Sequence, residues 1–462
     1  MKTHAAESRP EATNITPLCG VALRAILLRT LIRFIPCLLF VGFAASLHAQ
    51  LSFSSAIALA VQNSPRVKMA QDDLHRSIAA VSDAKDQYIP AATANGGLGK
   101  AYGITLNVPT ILTLNTQSLV YNAAQRNYIR SAKDGVEAAN EALADVRGQV
   151  EEDAANAYLS LDGAEQRHAA LEQEHGFAAR LVSIVQDRLN AGLESDLSLK
   201  QAQRTELQIR LQELTVEDQI ESQRELLAQL IGLPSPGLAI APETIPPEAS
   251  FAAGAKPPSP HMESAALLSL EDNARARHEQ AMGDSRYTLR PQLLFQAQYG
   301  RISPIDDVSS YYNLHGDYNT FEGGVVIVFP FLDKAHAARA RESIAEAMHT
   351  QHEAENLRSQ EIENRLGMQH TVLELSVRNS LAQVDLGIAQ DQLTATLAEV
   401  QSNNADVAGR AMTPQDEQNA RLQERAKMVD LLDATEQLLK AQISLMRQAG
   451  ELDDWLASLP RQ

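Results

Sequence analysis

The sequence predicts a mainly α-helical protein with a small β part, in which long antiparallel coiled-coil helices build a cylinder wall with β-hairpins at one end. Three observations predict it. A long run of apolar residues repeats at heptad spacing, two glycine- or aromatic-rich segments read as strand pairs, and the whole pattern occurs twice along the chain.

Ile129, Ala132, Val136, Ala139, Leu143, Val146 and Val150 step by three and four; after one extra residue, Ala154, Ala157, Leu161, Ala164, His168 and Leu171 continue it. Such steps keep side chains on one seam of a helix and wrap helices around each other. No proline interrupts the stretch from Ala123 to Asn190, and its many alanines favour helix. Roughly 68 residues at about 1.5 Å each make a rod near 100 Å long. A seam of that length and alanine content needs other long helices beside it.

The chain has 462 residues and a formal charge of −18. Arg24, Arg29 and Arg33 precede an apolar run from Phe34 to Leu47, so residues 1–49 read as a secretory signal cleaved after Ala49. A membrane anchor is the alternative, but the run is shorter than the roughly 20 residues that span a bilayer and contains Pro36. Cys19 and Cys37 both lie in this leader, which leaves the mature chain without disulfide or thiolate chemistry. Removing the leader takes the charge to about −21, against the basic face that a nucleic-acid binder shows.

Beyond the leader, residues 50–233 read as a first structural repeat. A helix from Ser54 to Tyr88 breaks at Asn63-Ser64-Pro65 and ends at Pro90. A glycine-rich hairpin with weak alternation covers about 91–122, and the rod follows. Asn190-Ala191-Gly192 ends the rod, and Ser195 or Asp196 caps a return helix reaching Leu230. Residues 234–261 form a proline- and alanine-rich linker. The second repeat, 262–462, has a helix to Tyr287, a hairpin over about 290–332, a long helix from Lys334 to Val407, a turn over about 407–415, and Gly450 where Gly232 fell. The offset of roughly 200–220 residues marks an internal duplication. In each half, two shorter helices sum to about the length of one rod.

The second hairpin carries the sharper signal. Leu293, Phe295, Ala297 and Tyr299 face one way, and Gln292, Gln296 and Gln298 the other, with Leu294 the exception. Eight of the chain's 21 aromatic residues fall between Phe295 and Phe331, among them Tyr311, Tyr312 and Tyr318. An apolar face with aromatic ends opposite a glutamine face fits a lipid-exposed barrel with a wet lumen; a strand pair on a soluble core is the alternative. Four strands cannot close a membrane barrel, which starts at about eight, so a barrel needs several chains.

These residues resemble the TolC-like family of outer-membrane efflux proteins over nearly the whole mature chain. The resemblance rests on Leu51-Ser52-Phe53 and Ala56 with Asn63-Ser64-Pro65, on residues Arg188 to Ser195 followed by Gln201-Ala202, and on Val328-Phe329-Pro330-Phe331-Leu332-Asp333. It implies a trimer whose twelve strands form one outer-membrane barrel above a periplasmic helical tunnel. It also implies a periplasmic adaptor (membrane fusion protein) and, through it, an inner-membrane transporter. The tips that meet the adaptor correspond to Arg188, Leu189, Ala191, Gly192 and Ser195 and to Ala408, Gly409, Thr413 and Pro414. Thr413 stands one residue further from its glycine than Ser195 does, and Pro414 is an unusual follower. The small residues also suit a plain turn. By position, Asp416 with Glu417, and Arg410 as the base, match an acidic gate that some members place beyond the second tip; the other reading is first-turn acids favoured by the helix dipole.

Little else in the sequence carries chemistry. His349 and His352 are three apart on a helix without a third ligand, which is an exposed face rather than a metal site, and His168 is a seam residue. No nucleophile–base grouping or phosphate loop stands out, so neither enzyme nor cofactor is expected. The expected role is a passive exit duct for small molecules or proteins, in efflux or type I secretion; a soluble periplasmic scaffold or adaptor is the alternative.

Overall fold

A computed structural model describes residues 50–97, 110–254, 263–287, 290–302, 319–402 and 413–459. The leader, the tips of both hairpins with Tyr311, Tyr312 and Tyr318, and Ala408, Gly409 and Arg410 lie outside them. The first repeat holds α1 (Phe53–Asn63), α2 (Pro65–Asp86), β1 (Ala91–Gly96), β2 (Thr110–Tyr121), α3 (Gln125–Asn190) and α4 (Asp196–Ile231). A 3-10 turn at Pro242–Thr244 and the short α5 (Glu248–Gly254) follow. Then come α6 (Ala265–Tyr287), β3 (Gln292–Ile302), β4 (Asn319–Val328), α7 (Lys334–Ser402), α8 (Pro414–Gln448) and α9 (Leu452–Ser458).

The rod α3 has 66 residues and sits between two pairs of shorter helices, α1–α2 with α4 on one side and α6 with α8 on the other. The second rod, α7, packs on α6 and α8. This is the pairing of one long helix with two stacked short ones that the lengths require, extended by α6 and α8 serving both rods. Along the seam, Val150, Ala154, Ala157, Leu161, Ala164 and Leu171 are buried. Gly232 and Gly450 both have φ +71°. At each, the following N–H reaches back to the helix, Leu233 to Ala228 O (3.1 Å) and Glu451 to Met446 O (2.9 Å), which is the left-handed helix stop that glycine favours.

The main core gathers at the middle of α3. Tyr158, fully buried, donates toward Leu51 O (2.8 Å) and Ala241 O (3.0 Å) and accepts the Ala241 N–H (3.0 Å). Phe53 lies edge-on to the Tyr158 ring at 5.4 Å and to Trp455 at 6.5 Å, while Phe251 meets Trp455 at 4.9 Å. Leu51 forms a parallel bridge with Ile240. The proline-rich segment read as a linker thus contributes Ile240, Ala241 and Phe251 to the core, and α9 contributes Leu452 and Trp455. Its periodicity is absent because a few anchor residues, not a helical face, do the burying.

Charged residues also enter the helical interface. Arg167 spans from α3 to Asp433 (2.6 Å) and Glu436 (2.5 Å) on α8. Glu174, buried on α3 and facing Asp430, is pushed up to about 7 by desolvation and then by that neighbour's charge. Burial, and then the facing Asp453 carboxyl, also raise Glu151.

Two outcomes follow from this packing. Tyr158→Phe removes the hydroxyl that serves the Leu51 and Ala241 backbone and should cost about 1–3 kcal/mol, read as a lower unfolding midpoint; an unchanged midpoint would contradict the clasp. Glu174 keeps its proton in the folded chain, so the stability it contributes is present below the unfolded carboxylate range and is lost as pH rises through about 7. Glu174→Gln should therefore raise the melting temperature at pH 8 more than at pH 5, and an equal shift at both would refute the assignment.

Candidate channel wall and docking tip

The four strands form one antiparallel sheet in the order β1-β2-β3-β4. Directly paired residues share a face. On one face, Leu293 pairs with Ile327, Phe295 with Val325, Ala297 with Gly323 and Tyr299 with Phe321. Across β2 the same face continues through Ser118 and Thr116 to Leu114, which stands opposite Tyr299, and then to Ala94 on β1. On the other face, Gln298 pairs with Glu322 and with Asn115, and Gln296 with Gln117. The weak alternation of the first hairpin becomes orderly once register aligns it with β3.

That face, apolar but for Ser118, Thr116 and Arg301 with Asn319 at the strand ends, is largely open on β4 in the isolated chain. Phe321 is 76% exposed, and Val325 and Ile327 are exposed beside it. Strands β2, β3 and β4 have 12, 11 and 10 residues, close to the roughly 9–11 that cross a bilayer at a tilt. The outer edges, β1 and β4, have no strand partner among the described residues. Among those residues, no helix is long and apolar enough to cross a membrane.

The helical flanks are open in the same way. Ile362, Leu366, Leu373, Val377, Val384 and Ile388 on α7 are exposed and alternate steps of four and seven, a second heptad stripe. Leu207, Leu211 and Leu214 expose a stripe on α4, at the opposite side of the helix order. Neither stripe was recognised from sequence, because periodicity marks an apolar face without saying whether its partner belongs to the same chain.

The first tip is a compact turn. Ala191 ends α3, Gly192 has φ +73°, its N–H bonds Leu189 O (2.9 Å), and the Leu193 N–H bonds Arg188 O (2.8 Å). The Arg188 Nε lies 3.4 Å from Glu194 Oε1. Ser195 Oγ accepts the Ser198 N–H (3.1 Å) and starts α4. Ala191, Gly192 and Ser195 are exposed, and Leu193 and Leu197 are exposed beside them, an apolar part of the tip that sequence reading missed.

At the second tip only Thr413 onward is described. Thr413 N–H donates to Asp416 Oδ2 (2.8 Å), and Thr413 Oγ1 accepts the Asp416 N–H (3.4 Å), a capping box with Pro414 in the first turn. Glu417 pairs with Arg421 at 2.9 Å. Both acids thus have local structural partners, as the first-turn reading expects. On α7, His349 and His352 are exposed, with His352 Nδ1 3.3 Å from Glu355.

Residues 56–233 match the family model described as outer membrane efflux protein. Within that stretch the chain is similar to the outer membrane efflux proteins. No curated protein sequence matches the chain. Among solved structures, the Vibrio cholerae outer membrane protein VceC is similar over 87% of this chain and 95% of its own, at TM-score 0.64 and 18% identity. The Campylobacter jejuni CmeC outer membrane channel covers 87% and 86% at 0.66 and 15%. The open state of the Neisseria gonorrhoeae MtrE outer membrane channel covers 87% and 90% at 0.61 and 12%. These likenesses establish the fold for both halves. At identities of 12–18%, the likeness to these outer membrane channels is one of fold. Thr413→Ala should cost about 1 kcal/mol, seen as lost amide-exchange protection over the first turn of α8; full protection would show that the box is not formed.

Proposed function

We propose that three copies of this chain close into one channel, their twelve strands forming a barrel in the outer membrane and their helices a periplasmic tunnel. The observation that carries this reading is the four-stranded sheet, bare and apolar on one face, polar on the other, and open at both edges. A mainly apolar face, charged only at the strand end at Arg301, suits lipid, the glutamine and asparagine of the other face suit a wet lumen, and an open edge suits pairing with the next copy. The exposed stripes on α7 and α4 support the same closure, because each lies at an outer side of the helix order.

The duct does no chemistry of its own. A periplasmic adaptor docks at the tips, around Arg188 to Ser195 and Thr413-Pro414, and joins the duct to an inner-membrane transporter that supplies the energy. Exposed Leu193 and Leu197 beside the glycine turn support close helical docking. Near the second tip, Asp416, Glu417 and Arg410 form the gate, the acids returning as a ring of carboxylates in three copies. Cargo is either small molecules or proteins delivered by that transporter.

The lipid face gives a direct test. Phe295→Arg should impair membrane insertion, by about 2–4 kcal/mol at mid-bilayer depth, whereas Gln296→Arg on the polar face should insert normally. Equal insertion of both variants, or release of the unaltered protein by salt without detergent, would overturn the membrane reading in favour of a soluble scaffold.

A further inference from the structure

The helical seam between α3 and α4 carries a polar patch among its apolar residues. Ala164, Leu171, Ile209 and Val216 are buried in this seam. Interleaved with them on α3 are His168 and, seven residues on, His175. Facing them from α4 are Glu213 and Glu217, four apart and therefore on one helix face. Because the two helices run antiparallel, His168 meets Glu217 (Nε2 to Oε1, 3.4 Å) and His175 meets Glu213 (Nδ1 to Oε2, 3.3 Å).

We propose that His168, Glu213 and Glu217 bind a borderline divalent transition-metal ion such as Zn²⁺ or Co²⁺, and that the ion clips the α3–α4 hairpin. One donor atom from each of the three residues lies within 4.8 Å of the other two. Ligands at about 2.0–2.1 Å around a tetrahedral ion sit about 3.4 Å apart, so the His168–Glu217 pair already spans one edge of the polyhedron and Glu213 needs only a small approach. One imidazole nitrogen with two carboxylates is a donor set for Zn²⁺, Co²⁺ or Ni²⁺ rather than for Mg²⁺ or Ca²⁺, and water completes the shell.

Burial makes Glu213 the anchor. Its side chain is 7% exposed, and a carboxylate so placed needs positive charge beside it. Arg210, one turn away, now supplies that charge at 2.7 Å. Arg210 is substantially exposed and free to swing into solvent when an ion takes its place. His175 Nδ1 lies 3.3 Å from the same Glu213 Oε2 and orients the carboxylate, as outer partners of metal ligands do. The ion and Arg210 therefore compete for one carboxylate, which separates this site from an ordinary ion pair.

The test uses the full mature chain without a polyhistidine tag, in detergent, stripped with chelator and titrated with Co²⁺. The expected result is one Co²⁺ per chain, a visible absorption band displaced by Zn²⁺, and a higher melting temperature with the ion. His168→Asn and Glu217→Gln should each weaken binding by about tenfold or more, and Arg210→Gln should tighten it. Replacing His349 and His352 by Asn, on the exposed α7 face, should leave binding unchanged. If His168→Asn fails to fold without metal, Glu217→Gln decides, since the Glu217 side chain is half-exposed. No saturable Co²⁺ binding, or binding that survives Glu217→Gln or vanishes with the His349 and His352 pair, overturns the proposal.

Discussion

A helix of 66 residues has no interior of its own, and everything else in the chain answers that constraint. Every turn of α3 carries small apolar residues that must be covered. Short helices cover it in two stacked pairs, and their junctions fall near mid-rod, where backbone groups come free. Tyr158 resolves those junctions. Its hydroxyl satisfies Leu51 and Ala241 backbone atoms, while its ring receives Phe53 edge-on, so one residue ties the chain's start and its middle segment to the rod. Phe251 and Trp455 extend the same cluster to α5 and to the end of the second repeat.

The solution is complete for α3 and incomplete for the chain. The α7 rod is covered by α6 and α8, and its opposite stripe, with Val377 69% exposed, has no partner among the described residues. The sheet repeats this state in β form, with one apolar face and two edges left open. Unpaired edges and apolar stripes of this extent are hazards for a soluble monomer. The proposed assembly, in which copies of the chain and a lipid phase supply the missing cover, accounts for both the helical and the sheet parts.

Much of this fold was legible in the residues because its periodicities are long. Heptads from Ile129 to Leu171, the break at Asn63-Ser64-Pro65 and the stop at Asn190-Ala191-Gly192 match the helix bounds closely. The alternation of Leu293, Phe295, Ala297 and Tyr299 gave one sheet face, whereas the matching order of β2 emerged only with register, since Ser118 and Thr116 are not apolar by type. The segment from Ala239 to Gly254 looked like a linker because Ile240 and Phe251 bury singly, without a repeat. His168 was visible as an odd seam residue, but Glu213 and Glu217 face it from a separate helix, a relation that spacing along one helix cannot show. From sequence Asp416 reads as a gate acid or as a first-turn acid favoured by the helix dipole, and its bond with Thr413 is visible only in three dimensions.

The central claim is that the chain is one part of a wall completed by identical copies. The measurement that bears on it most directly is the native mass of the protein after detergent extraction of the outer-membrane fraction. A stable trimer is predicted, with the sheet edges and helical stripes buried between copies. A monomer recovered from the soluble periplasmic fraction would contradict it.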